Sequence, residues 1–142
     1  MTRALLDATV LIAATDQDDR DHERGFEILR SVDHGEVPTG VITNDALLET
    51  LNFVHERKGH EAAVDLLDRF VRGAHFELPY NSKKNYGLAR SLFRDSGRLN
   101  FGDSMQTAYM QPQGIEYIYS FDDDFDSVDG ITRLNSAVNP LR

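Results

Sequence analysis

Apolar and polar positions along this 142-residue chain change period several times, and each change marks an element. Residues 3 to 6 (RALL) read as a short buried strand. After Asp7 the apolar VLIAA run opens a helix, with Thr9 as a cap. The stretch from Asp16 to Asp21 is polar. In HERGFEILRSV, residues Phe26, Leu29, Arg30 and Val32 fall at near-helical spacing and predict a second helix that His34-Gly35 stops. VPTGVI is a β-rich run closed by Thr43-Asn44. Leu47, Leu51 and Val54 then recur at i, i+4, i+7 and predict a helix that ends at Lys58-Gly59. A further helix spans His60 to Arg72 through Ala63, Leu66, Leu67 and Phe70, and Gly73 separates it from the strand-like HFELP. Ser82 to Ser96 is helical with Tyr86, Ala89, Leu92 and Phe93 facing inward. Gly102 to Met110 is a short helix that Pro112 closes, IEYIYS is strongly β-prone, and ITRL is a weaker terminal strand.

Strands and helices therefore alternate, which predicts a three-layer α/β/α fold with a central, mostly parallel sheet of about five strands. At this length one domain covering residues 1–142 is the expectation. In open parallel sheets ligands bind beyond the carboxyl ends of the strands. Four acids fall where that edge should lie. Asp7 ends the first strand, Glu49 lies one turn into the helix after the second, Asp103 opens the helix before IEYIYS, and Asp122 follows that strand. Asp124 is a candidate auxiliary to Asp122.

Each acid also has a plainer explanation. Asp103 with Gln106 forms a D-x-x-Q pattern resembling a capping box, Asp122 suits an Asx turn, and Glu49 suits an exposed helical face. Asp7 resists such an account, because an acid between LL and ATVLIAA sits where burial penalises its charge. Taken together, four carboxylates in one pocket repel one another, and divalent cations relieve that repulsion. Oxygen ligands select Mg²⁺ or Mn²⁺, whose chemistry is the activation of water and the polarisation of phosphate esters.

Composition narrows the chemistry further. There is no cysteine, which removes thiolate catalysis and sulfur-ligated metals. Phosphate-loop, dinucleotide and serine-hydrolase glycine motifs are missing. The Asp122, Asp124, Asp126 run lacks the glycine and the terminal glutamate of a calcium loop, and His55, Glu56 and His60 miss zinc-protease spacing by one residue. The remaining histidines read as surface or core residues. A net charge of −9 argues against broad capture of nucleic acid, so RNA binding needs a local basic patch. Arg90, Arg94 and Arg98, at i, i+4, i+8, are the candidates for RNA-backbone contacts. No apolar run approaches a membrane span, and Asp7 interrupts the first one too early for a secretory signal, so a cytoplasmic location is expected.

LLDATVLIA, the helix-borne Glu49, LNFGDSMQTA and YIYSFDDDF, in this order, resemble the PIN-domain nucleases, and most of all the VapC-type toxins of toxin-antitoxin pairs. The resemblance runs from Leu5 to about Leu134. It implies a five-stranded parallel sheet, a Mg²⁺ or Mn²⁺ site at Asp7, Glu49, Asp103 and Asp122, and ribonuclease activity restrained by a cognate antitoxin, with a homodimer as the assembly. Thr9 and Ser120 match the family's supporting hydroxyl positions, while Asn100 stands where serine is common. Two alternatives come from other classes. One is a non-catalytic PIN module that only binds RNA or a partner. The other is an aspartyl phosphotransferase of haloacid-dehalogenase type, whose pattern needs a second aspartate where this chain has Thr9.

Overall fold

The computed structural model describes residues 2–142. Its frame is a five-stranded, all-parallel sheet in the order β3-β2-β1-β4-β5, formed by β1 (Arg3–Leu6), β2 (Thr39–Val41), β3 (Phe76–Glu77), β4 (Tyr117–Tyr119) and β5 (Thr132–Leu134). The most apolar strand is central because both of its faces are covered. Ala4 and Leu6 pack into one core with Val10, Leu11, Ile28, Val32 and Tyr119. Leu5 faces the opposite core of Val41, Tyr109, Met110, Ile118 and Phe125. The helices α1 (Ala8–Thr15) and α2 (His22–Asp33) thus cover one face, and α6 (Phe101–Gln113) covers the other with α5 (Lys83–Asp95) packed on it through Ala89, Met105 and Ala108. The helical pair α3 (Asn44–Lys58) and α4 (His60–Arg72) joins β2 to β3.

This strand order decides where a site can form. The chain moves outward from β1 through β2 to β3, then returns to the other side of β1 with β4. The order reverses between β1 and β4, so their carboxyl ends border a crevice. Leu6 pairs with Tyr119, and the Asp7 N–H bonds the Tyr119 carbonyl at 3.0 Å. Asp7 and Ser120 therefore leave the sheet side by side.

Several local expectations are corrected. Asp7, not Thr9, is the N-cap residue of α1, and its side chain makes no capping bond. Pro112 does not close α6; it stands inside the last turn, and Gly114 at φ 67° ends the helix. Phe26, Tyr86 and Phe93 are exposed, since α2 buries the neighbouring stripe of Gly25, Ile28, Leu29 and Val32, and α5 turns Leu88, Ala89 and Leu92 toward α6. Because α5 stops at Asp95, Arg98 lies beyond it and shares no helical face with Arg90 and Arg94. Among the described residues no helix is long and apolar enough to cross a membrane.

Close contact between α1 and α2 depends on Gly25. A Cβ there would lie 2.9 Å from the Ala14 nitrogen and 3.0 Å from the Val10 oxygen, both backbone atoms that cannot swing away. Gly87 in α5 has nothing within 4 Å of the same position. Gly25→Ala is expected to lose about 1–3 kcal/mol by overpacking, whereas Gly87→Ala should gain about 0.5–1 kcal/mol from helix propensity. Chemical denaturation of the two variants checks the contrast.

Candidate active site

The carboxylate at the end of β1 is nearly sealed, with Asp7 only 5% exposed. Three side chains donate to it. Thr9 Oγ1 and Ser120 Oγ each reach Oδ2 at 2.7 Å, and Gln106 Nε2 reaches Oδ1 at 2.5 Å. The two hydroxyls are themselves fixed, because Thr9 Oγ1 accepts the Phe121 N–H at 3.1 Å and Ser120 Oγ accepts the Asp122 N–H at 2.9 Å. With those lone pairs occupied, each hydroxyl hydrogen turns to Asp7. Such a donor set suits an ionised carboxylate.

Asp103 comes to the same cleft from the start of α6. Asn100 is the N-cap there, its Oδ1 accepting the Asp103 N–H at 2.8 Å while Asp103 Oδ2 accepts the Asn100 N–H at 3.3 Å. The capping expectation was thus shifted by three residues: the helix begins before Asp103, which takes the inner position of the box, and Gln106 is released to bond Asp7. Asp103 is also buried, at 4% exposure. Burial first, then the Asp122 charge with Asp7 adding to it, pushes its carboxyl up to about 7 against the opposing Asn100 bond.

From the far side, Asp122 follows β4 and caps a short 3-10 turn, its Oδ1 accepting the Asp124 N–H at 3.0 Å. Oxygens of Asp103, Asp122 and Asp124 lie within 4.8 Å of one another. Asp122 lines the cleft, and Asp124, the candidate auxiliary, joins it in this grouping. Arg98 Nη2 lies 3.2 Å from Asp124 Oδ1. Its guanidinium, itself exposed, faces the acidic cluster.

Glu49 stands at the exposed rim, where partial desolvation and then the charges of Asp7 and Asp45 hold its carboxyl above the usual range. Asp45 is the acid that the sequence reading missed. It lines the cleft, its carboxyl is raised mainly by burial with the Asp7 charge adding, and Asn81 Nδ2 donates to it at 3.0 Å. Its signal was the i, i+4 relation to Glu49, which puts both on one face of α3. Asp7, Thr9, Asp45, Glu49, Asn100, Asp103, Gln106 and Asp122 enclose a cleft of about 110 Å³.

The PIN domain family matches residues 4–131. The chain belongs to the PIN domain family. Solved structures of a VapC toxin and of VapBC proteins are among those it resembles. VapC20 of Mycobacterium tuberculosis, described as a sarcin-ricin loop cleaving toxin, is 22% identical with a TM-score of 0.76, covering 96% of this chain and 99% of that one. VapBC2 from Rickettsia felis, bound to a promoter DNA fragment, is 16% identical with a TM-score of 0.69, covering 95% and 99%. DNA-bound VapBC from Salmonella typhimurium is 14% identical with a TM-score of 0.68, covering 94% and 98%. At these identities the likeness is one of fold. No curated protein sequence matches the chain significantly. A PIN fold agrees with the parallel sheet seen here, and Thr9 bonds Asp7 where a phosphotransferase would need its second carboxylate.

The raised pKa of Asp103 sets a pH dependence. A folded-state value of about 7 exceeds that of an unfolded aspartate, about 3.9, so the native state holds this proton more tightly. That stabilisation is complete below about pH 4 and is lost as pH rises through about 7. In chelator, the wild-type protein should lose stability between pH 5 and pH 8 more steeply than Asp103→Asn, which keeps an acceptor for Asn100. Thermal melts across that range provide the check. If the variant were less stable at pH 8 by more than about 1 kcal/mol, the capping bond would outweigh the repulsion.

Proposed function

We propose that this PIN-domain protein is a Mg²⁺- or Mn²⁺-dependent endoribonuclease, the toxin of a toxin-antitoxin pair. The observation that carries the reading is the cluster of Asp103, Asp122 and Asp124 oxygens within 4.8 Å of one another, beside the buried Asp7. The donor set is all oxygen and strongly anionic, which fits a hard divalent cation. A further fit comes from Gln106, whose Oε1 is buried in the same cleft without a hydrogen-bond partner. Buried polar atoms seldom stay unpaired, and this one suits a water or a hydrated ion.

In this reading Asp7, Asp103 and Asp122 are the metal ligands, Asp124 is an auxiliary ligand, and Glu49 acts as a ligand directly or through water. Asp45, on the same helix face as Glu49, adds to the negative field that attracts the ion. When bound, the ion supplies Lewis-acid polarisation of a phosphodiester and a more acidic water for its hydrolysis. The protein's own residues do the positioning. Thr9, Ser120 and Gln106 hold Asp7 in one rotamer, and Asn100 holds Asp103, so both carboxylates keep their directions as charge changes nearby. Rim Glu49, with its raised proton affinity, is the group suited to orient or deprotonate the attacking water.

Relatives of the same fold that are described as VapBC complexes support an antitoxin as partner. The family resemblance adds a homodimer and RNA as substrate, and with them a cytoplasmic site of action. The test is direct. Purified protein with Mg²⁺ or Mn²⁺ should cleave a structured RNA, chelator should stop it, and Asp7→Asn should lower the rate by at least about a hundredfold. Equal cleavage by the variant, or undiminished cleavage in chelator, contradicts the proposal.

A further inference from the structure

We infer that the outer face of α5 is a stacking platform for unpaired RNA bases, leading the strand to the acidic cleft. The inference rests on the ribonuclease reading above and names the part of the substrate that this surface takes. Two large rings stand in solvent on that helix, Tyr86 at 46% and Phe93 at 47% exposure. Both lean on one ring from the next helix: Phe101 lies 5.7 Å from Tyr86 and 5.5 Å from Phe93, each edge to face. An edge-to-face neighbour steadies a ring while leaving a π-face of it free. Phe101 in turn stands between Asn100 and Gly102, which line the acidic cleft. The aromatic row therefore ends at the rim of the site.

Cations run along the same face. Lys83, Arg90 and Arg94 are exposed and fall with Tyr86 and Phe93 at i, i+3, i+7, i+10 and i+11, within about a third of a helical turn. The Arg90 guanidinium lies 5.7 Å from the centre of the Tyr86 ring. Lys84 flanks the row, and Asp95 at its end is the only acid in α5. In a chain of net charge −9, this is a concentration of positive charge.

Flat rings interleaved with cations match a single-stranded polyanion whose bases carry π-faces. A second copy of the chain fits the surface less well. An isologous contact would gather Lys83, Arg90 and Arg94 of both copies into one interface, with Asp95 as the one acid each α5 brings to offset them. A duplex fits less well too, since its bases are already stacked on one another.

The experiment measures binding with catalysis switched off. In chelator at low salt, the full-length protein is titrated into a fluorescein-labelled oligouridine and, separately, into a duplex of equal length. Tyr86→Leu combined with Phe93→Leu keeps an apolar contact with Phe101 but removes both π-faces. The pair should weaken oligouridine binding about tenfold or more, with duplex binding and the melting temperature unchanged, while Tyr86→Phe should bind as wild type. Arg90→Gln with Arg94→Gln should lower the slope of log affinity against log salt by about 1.4, two phosphates at about 0.7 each.

Wild-type affinity in the leucine pair overturns the inference. So does sedimentation showing that the leucine pair breaks a wild-type dimer, which would assign the face to a second copy. Metal-dependent cleavage is read separately. A chain that stacks the oligouridine but never cleaves RNA keeps the platform and loses the nuclease reading; one that cleaves RNA with the leucine pair binding as wild type does the reverse.

Discussion

Asp7 leaves the central strand at the point where the strand order reverses, and burial of its charge obliges three other segments to approach it. Thr9 comes from the first turn of α1, Ser120 from the end of β4, and Gln106 from the middle of α6. An unpaired carboxylate at that depth would cost several kcal/mol. The donors therefore couple the sheet to the helical layer behind it, and they also fix where Phe121 and Asp122 leave β4. The geometry of the cleft follows from satisfying this one group.

Around that anchor the remaining carboxylates are held closer than their charges favour. Asp103 relieves the strain by holding a proton to about pH 7, and Asp124 by pairing with Arg98. Each device offsets part of the negative charge, while Asp7 and Asp122 remain in the cleft beside them. A structural acidic surface would have spread these charges into solvent. Here Asp103 is as buried as Asp7, and the amide that steadies Asp7 keeps an unpaired oxygen in the same space. Such an arrangement costs fold stability, a cost that the proposed reading sets against the binding of a divalent ion.

Much of this was legible in the residues. The β-rich runs and the apolar helices appear where period and turn chemistry put them, and the conflict between Asp7 and its apolar surroundings pointed to the crevice before the strand order was known. What escaped notice depended on three-dimensional facts. Asp45 was not singled out, because nothing in the sequence but its spacing from Glu49 sets it apart from the chain's other acids until α3 packs beside α1 and Asn81 bonds it at the cleft. Gln106 looked like a cap partner until the helix start moved to Asn100. Arg98 looked like a continuation of the α5 face, but that helix ends at Asp95 and the residue folds back onto Asp124. Phe93 and Tyr86 looked like core residues, because spacing alone does not say which of two adjacent helical stripes is covered.

The central claim is that these acids form one ion site whose occupation requires Asp103 to give up its proton. Calorimetric titration of the full-length protein with Mn²⁺ at pH 6 and pH 8 tests it most directly. The account expects saturable binding that is tighter at pH 8, with protons released at pH 6, and a large loss of affinity in Asp103→Asn. Absence of saturable binding, or equal affinity in wild type and variant at both pH values, would contradict it.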